Sequence, residues 1–162
     1  MSTPAKRLAS ALRAITSDGK PEEVVALART YGIDGRLARR AAREIPVNAN
    51  AYLKLCAACG IDPMTGATGV QRTIADLDRN RLAIQVLLAI IGGNSLRKLA
   101  KTWKVEYTAI NRAKHQLPVN VDNFLKICAG LRMHPHAFLA PVPPEFHAKQ
   151  SLQQPEQERA SA

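Results

Sequence analysis

The chain has 162 residues and a formal net charge of +10; 46% of it is hydrophobic but only 4% aromatic. No apolar run reaches the 18 residues a membrane helix needs, and the start lacks the apolar core and cleavage site of a secretory signal. Alanine and leucine enrichment without sustained alternation predicts an all-α chain, long enough for one domain or two small ones.

Lys6 to about Ser17 reads as an amphipathic helix with Leu8, Leu12 and Ile15 on one side, ended by Asp18-Gly19. Pro21 opens the next helix, where Glu22 and Glu23 suit the positive end of its dipole. It runs to Tyr31, and Gly32 makes a turn. Asp34 to Arg43 is the following helix, with Arg36, Arg39, Arg40 and Arg43 on one face and Leu37, Ala38 and Ala41 toward the other. Pro46 breaks the chain. Asn48 or Asn50 then caps a helix that buries Tyr52, Leu53, Leu55 and Cys56 and closes at Gly60. Asp62-Pro63 starts at most a short fifth helix. Residues 5–66 thus make a first unit, and 67–73 a linker.

Residues 74–91 form the longest apolar helix, with Leu77, Leu82, Ile84, Val86, Leu87, Leu88, Ile90 and Ile91; one face serves its own unit and the surplus the other unit or a second chain. Gly92-Gly93 stops it, and Asn94 or Ser95 caps a short helix through Trp103. Another short helix follows the bend and ends near Gln116. Asn120 or Asp122 begins a helix through Leu131, and His134 to Leu139 makes a last short one. Residues 74–140 are the second unit; 141–162, rich in Pro and Gln, read as a mobile, disordered tail.

Two blocks recur 72 residues apart. Ile45-Pro46-Val47-Asn48 returns as Leu117-Pro118-Val119-Asn120, and Tyr52-Leu53-Lys54-Leu55-Cys56-Ala57 as Phe124-Leu125-Lys126-Ile127-Cys128-Ala129. Leu27-Ala28-Arg29-Thr30-Tyr31 aligns with Leu99-Ala100-Lys101-Thr102-Trp103. Such register over some forty residues marks two copies of one small helical unit. The positive charge lies in these units. Residues 6–67 carry ten Lys and Arg against six Asp and Glu, and residues 80–140 nine against two. A shaped basic surface favours a polyanionic partner.

The stretch Leu99 to Arg112 reads as helix, tight turn, helix. Val105 plugs the bend and Ile110 faces inward. Tyr107, Thr108, Asn111 and Lys114 or His115 share the other face, carrying hydrogen-bonding and positive groups. The run Val-x-x-Thr-Ala-Ile-Asn-Arg-Ala at 105–113 resembles the helix-turn-helix of Cro-like and lambda-repressor-like DNA-binding proteins. The resemblance covers residues 80–140 well and 6–67 less well. It departs at Lys104, where the family usually has Gly.

The resemblance implies two tandem lambda-repressor-like helix-turn-helix units of about five helices each, with the second motif helix in the major groove. It places Tyr107, Thr108, Asn111 and Arg112 at positions that touch bases or phosphates. Asn111 suits adenine, and Lys98, Lys101, Lys104 and Lys114 suit phosphates. Arg36, Arg39, Arg40 and Arg43 occupy the equivalent helix of the first unit. The expected function is a sequence-specific transcriptional regulator of double-stranded DNA, most simply a repressor of a bacterial, phage or mobile-element promoter. It would be cytoplasmic and nucleoid-associated, with a homodimer also compatible. The alternative is a protein-interaction regulator, of antitoxin or anti-activator type, in which one unit binds a protein.

Cys56, Cys59 and Cys128 are odd in number and sit in helical context, which predicts reduced thiols, with Cys56 and Cys128 as small buried hydrophobes. The Cys56-x-x-Cys59 pair lacks a second pair at zinc spacing, and His134 and His136 flank a proline, so no metal site is expected. With no phosphate-cradling glycine loop and no nucleophile beside a base, the chain reads as neither an enzyme nor the carrier of a cofactor.

Overall fold

The computed structural model describes residues 2–70 and 74–141. The regular elements among them are helical: α1 (Pro4–Ile15), α2 (Pro21–Thr30), α3 (Gly35–Ala42), α4 (Ala49–Ala58), α5 (Arg79–Ile91), α6 (Leu96–Trp103), α7 (Tyr107–Lys114) and α8 (Val121–Leu131), then a 3-10 turn at Pro135–Phe138. Thr3, Asp34, Asn48, Asp78, Ser95 and Asn120 cap their helices by accepting first-turn N–H groups. Of the paired candidates, Asn48, Ser95 and Asn120 are therefore the caps.

Two expectations shift. Residues 63–65 form a turn, not a fifth helix. The Asp62 carboxylate takes the N–H groups of Met64 (2.9 Å) and Thr65 (2.8 Å), and so offers the backbone a turn in place of a helical ladder. Residues 74–78 do not join α5. Leu77 forms a bridge with Leu139, the Asp78 N–H donates to the Phe138 carbonyl (2.6 Å), and the Ala140 N–H donates to that of Asp76 (2.8 Å). The tail from residue 142, and residues 71–73 of the linker, lie outside the described residues.

The helices recur along the chain. α7 begins and ends 72 residues after α3, and α8 begins 72 after α4. Left-handed backbone recurs too: Gly32 and Lys104 (φ 65° and 53°), Glu44 and Gln116 (60° and 60°), Gly60 and Arg132 (64° and 55°). The first helix of each half is out of step. Leu8, Ala9 and Leu12 are buried in α1, and Leu82, Ala83 and Val86 in α5, a shift of 74.

The halves meet through equivalent residues. Asn48 and Asn120 form an antiparallel bridge. Around it the Ala49 N–H donates to the Val119 carbonyl (3.0 Å) and the Val121 N–H to the Val47 carbonyl (3.2 Å). Each residue faces its counterpart 72 positions on, so exchanging the halves leaves the pattern unchanged. A local two-fold axis therefore passes between Asn48 and Asn120. Asp62 and His134, also 72 apart, touch at 3.0 Å and give a second point on that axis. α4 packs on α8 beside it. Off the axis, Asn50 accepts the Leu77 N–H (2.7 Å) and Lys54 pairs with Asp76 (2.7 Å), tying α4 to the segment before α5. One hydrophobic core runs through both halves.

Core fit differs in detail between the halves. A Cβ on Gly130 would run into the Trp103 ring, where the equivalent positions in the first half are Ala58 and Tyr31. Replacing Gly130 by Ala is expected to destabilise the chain by about 1–3 kcal/mol, the usual cost of overpacking. Lys104→Gly is expected to stabilise it by about 0.5–1 kcal/mol, because glycine removes the left-handed penalty of Lys104 and returns only part of it as chain entropy. Urea unfolding midpoints check both signs.

Candidate nucleic-acid interface

α7 is two-sided. Ala109, Ile110 and Ala113 are buried against the core, while Tyr107, Thr108 and Arg112 are exposed and Asn111 and Lys114 half-buried. The bend that presents it is fixed by Lys104 in left-handed backbone and by Val105, buried, whose N–H donates to the Ala100 carbonyl (3.0 Å). Ile33 makes the same bond to Ala28 (2.8 Å) at the equivalent bend before α3. Lys98, Lys101 and Lys104 are exposed on and just after α6. Glu106 precedes α7 without a side-chain capping bond.

α3 has the same design with different chemistry. Ala38 and Ala41 are buried, Leu37 is half-buried, and Arg36, Arg39, Arg40 and Arg43 are all exposed. In the second half these arginines correspond to Thr108, Asn111, Arg112 and His115. The structure therefore brings together Tyr107, Thr108, Asn111, Arg112 and Lys114 on one helix, with Lys98 and Lys101 on the helix packed against it. The four arginines of α3 form a separate face in the first half.

Two of these residues have a task that sequence reasoning missed. The Arg40 guanidinium donates to the Pro46 carbonyl (3.1 Å) and the Arg112 Nε–H to the Pro118 carbonyl (2.8 Å). Each arginine braces the loop leading to the Asn48–Asn120 bridge. With five N–H donors apiece, they retain groups for an anion.

Sequence reasoning also missed the cluster of Asp62, His134 and His136, whose ligand atoms lie within 4.8 Å of one another. The three could hold a metal ion. Their present bonding joins the halves: His134 Nε2 meets Asp62 Oδ2, and His134 Nδ1 accepts the His136 N–H (3.3 Å). The repeat itself carried the clue, because residues on a two-fold axis meet their own equivalents.

Cys56 and Cys128 lie in the core, and burial pushes the Cys128 thiol, like that of half-buried Cys59, up to about 12. These thiols stay protonated at neutral pH. Ile84, Leu87, Leu88 and Ile91 (45%, 37%, 54% and 78% exposed) form an apolar stripe along α5 that the first half does not cover. No helix among the described residues is long and apolar enough to cross a membrane.

No family model, curated protein or solved structure matches the chain.

Acid should loosen the junction. Burial works against ionisation of Asp62, but hydrogen bonds from Thr65 and Met64 and the charge of His134 outweigh it and hold its carboxyl below the usual value. Asp76 is lowered by its bonds from Lys54 and Asn50. A depressed folded value means that the stabilisation is present above the unfolded carboxyl value, about 4, and is lost as pH falls through the folded one. Melting temperature is expected to drop below about pH 4. Asp62→Asn should lower it at pH 6 and flatten the acid limb; an unchanged acid limb would remove Asp62 from the account.

Proposed function

We propose that the chain is a sequence-specific double-stranded DNA-binding regulator, built as two tandem lambda-repressor-like helix-turn-helix units that present α3 and α7 to major grooves. The observation that carries this reading is the division of α7. Its apolar residues are spent on the core, and Tyr107, Thr108 and Arg112 are left exposed, with Asn111 half-buried between them, on a short helix beside exposed lysines. A polar, cationic helix held at a fixed bend suits base edges, and the lysines suit the flanking phosphates. Repression is the simplest outcome of such binding.

A second reading is favoured by the apolar stripe on α5: a protein partner covers Ile84, Leu87, Leu88 and Ile91, and regulation proceeds through that partner. Binding of random genomic duplexes at two salt concentrations separates the two. Failure to bind any duplex near 0.1 M salt leaves the protein-partner reading standing.

On the first reading, Asn111→Ala costs about 1–3 kcal/mol on a selected site and little on random DNA. Lys101→Ala weakens both alike and lowers the salt slope by about one. Equal losses on selected and random DNA for Asn111→Ala would exclude base reading by that residue. Electrophoretic shifts across a salt series supply both quantities.

A further inference from the structure

We infer that a single chain reads an inverted repeat with two unlike arms, one arm for each half, and that the complex contains one chain per site. This rests on the DNA-binding reading above and adds to it the symmetry, spacing and composition of the target.

The symmetry comes from the junction. Asn48 faces Asn120 and Asp62 faces His134, each pair 72 residues apart, so the halves are related by rotation about one axis. A translation could not pair a residue with its own equivalent in antiparallel fashion. A two-fold rotation keeps height along its axis, so α3 and α7 stand at one level. It also reverses direction, so two helices on one duplex meet it in opposite senses. The target arms are then inverted, as duplex DNA, itself two-fold symmetric, allows.

The spacing follows from chain reach. Ala42 at the end of α3 is followed by Asn48 after a short loop, and Lys114 by Asn120 after an equal one. Six extended residues reach about 20 Å, and half of an eight-residue helix adds about 6 Å. The two helix centres therefore lie no more than about 55 Å apart. Half-sites recur at about 34 Å or its multiples, and only the single turn fits within that limit. Ile45 and Leu117, midway along the two loops, are both exposed, so these loops lie at the surface.

The composition follows from divergence of the two faces. Arg36, Arg39 and Arg43 on α3 stand where α7 has Thr108, Asn111 and His115. Arginine pairs best with guanine O6 and N7, asparagine with adenine N6 and N7. The arm under α3 is guanine-rich, and the arm under α7 carries adenine at the position of Asn111.

Selection from random duplexes with the full chain, followed by hydroxyl-radical footprinting and native mass spectrometry of the complex, tests this. The expected result is two inverted, unlike arms centred one turn apart and one chain per duplex. Asn111→Ala should lower preference at the α7 arm about tenfold or more and leave the α3 arm intact. Thr108→Arg with Asn111→Arg should shift the selected site toward two like, guanine-rich arms. A single protected arm, a direct repeat, two chains per duplex or identical arms for the unaltered chain would each overturn the inference and leave DNA binding standing. Enrichment of no duplex would overturn both.

Discussion

Two backbone hydrogen bonds hold the arrangement of the whole molecule. Ala49 to Val119 and Val121 to Val47 satisfy, across the junction, groups that buried valines would otherwise hide from water. Asn48 and Asn120, the same residues that form the bridge, cap α4 and α8, so the junction fixes the starts of the two helices that pack across it. Each half is about 60 residues, a size at which an isolated core is marginal. Sharing one core offsets that weakness, and the tether makes the pairing independent of protein concentration.

A covalent pair is freer than two identical subunits. In a homodimer a residue on the axis must meet a copy of itself, and two aspartates there would repel. In this chain Asp62 meets His134 at 3.0 Å, a contact between unlike residues that exact symmetry forbids. Off the axis the cores have diverged as well. Tyr52 sends its hydroxyl to the Pro63 carbonyl (2.9 Å), whereas its counterpart Phe124 packs edge-on against Phe138 with centroids 6.2 Å apart. Trp103 over Gly130 replaces Tyr31 and Ala58. In each case a gain in ring bulk or a lost hydroxyl is matched elsewhere in the same half, which keeps the two helical frames alike.

Much of this could be read from residue pattern. Helix ends were legible wherever a cap or a glycine marked them, and the faces of α3 and α7 followed from their spacing. The junction was not legible, for a definite reason: periodicity says which side of an element is buried, not what covers it. The Pro-Val-Asn blocks marked the repeat, yet nothing in their chemistry said that one copy would lie against the other. Leu77 lies in an apolar run that reads as helix, but it belongs to an extended segment bridged to Leu139. Arg40 and Arg112 read as surface charge, because a bond to the carbonyl six residues on depends on a loop shape set by Glu44 and Gln116 in left-handed backbone.

The departure from symmetry on α5 limits assembly. In the 74-residue register of the first helices, Ile84, Leu87, Leu88 and Ile91 correspond to Ser10, Arg13, Ala14 and Ser17, and Arg13 is engaged with Glu44 at 3.2 Å. Had the stripe been present in both halves, each chain would carry two adhesive faces related by the internal axis. Chains with two such faces can link on, into a ring where the rotation closes and into an open filament where it does not. With the stripe in one half alone, the chain carries a single apolar face of this kind. The face of α1 is thus as informative as the apolar face of α5: it leaves the internal two-fold without a second stripe of this kind.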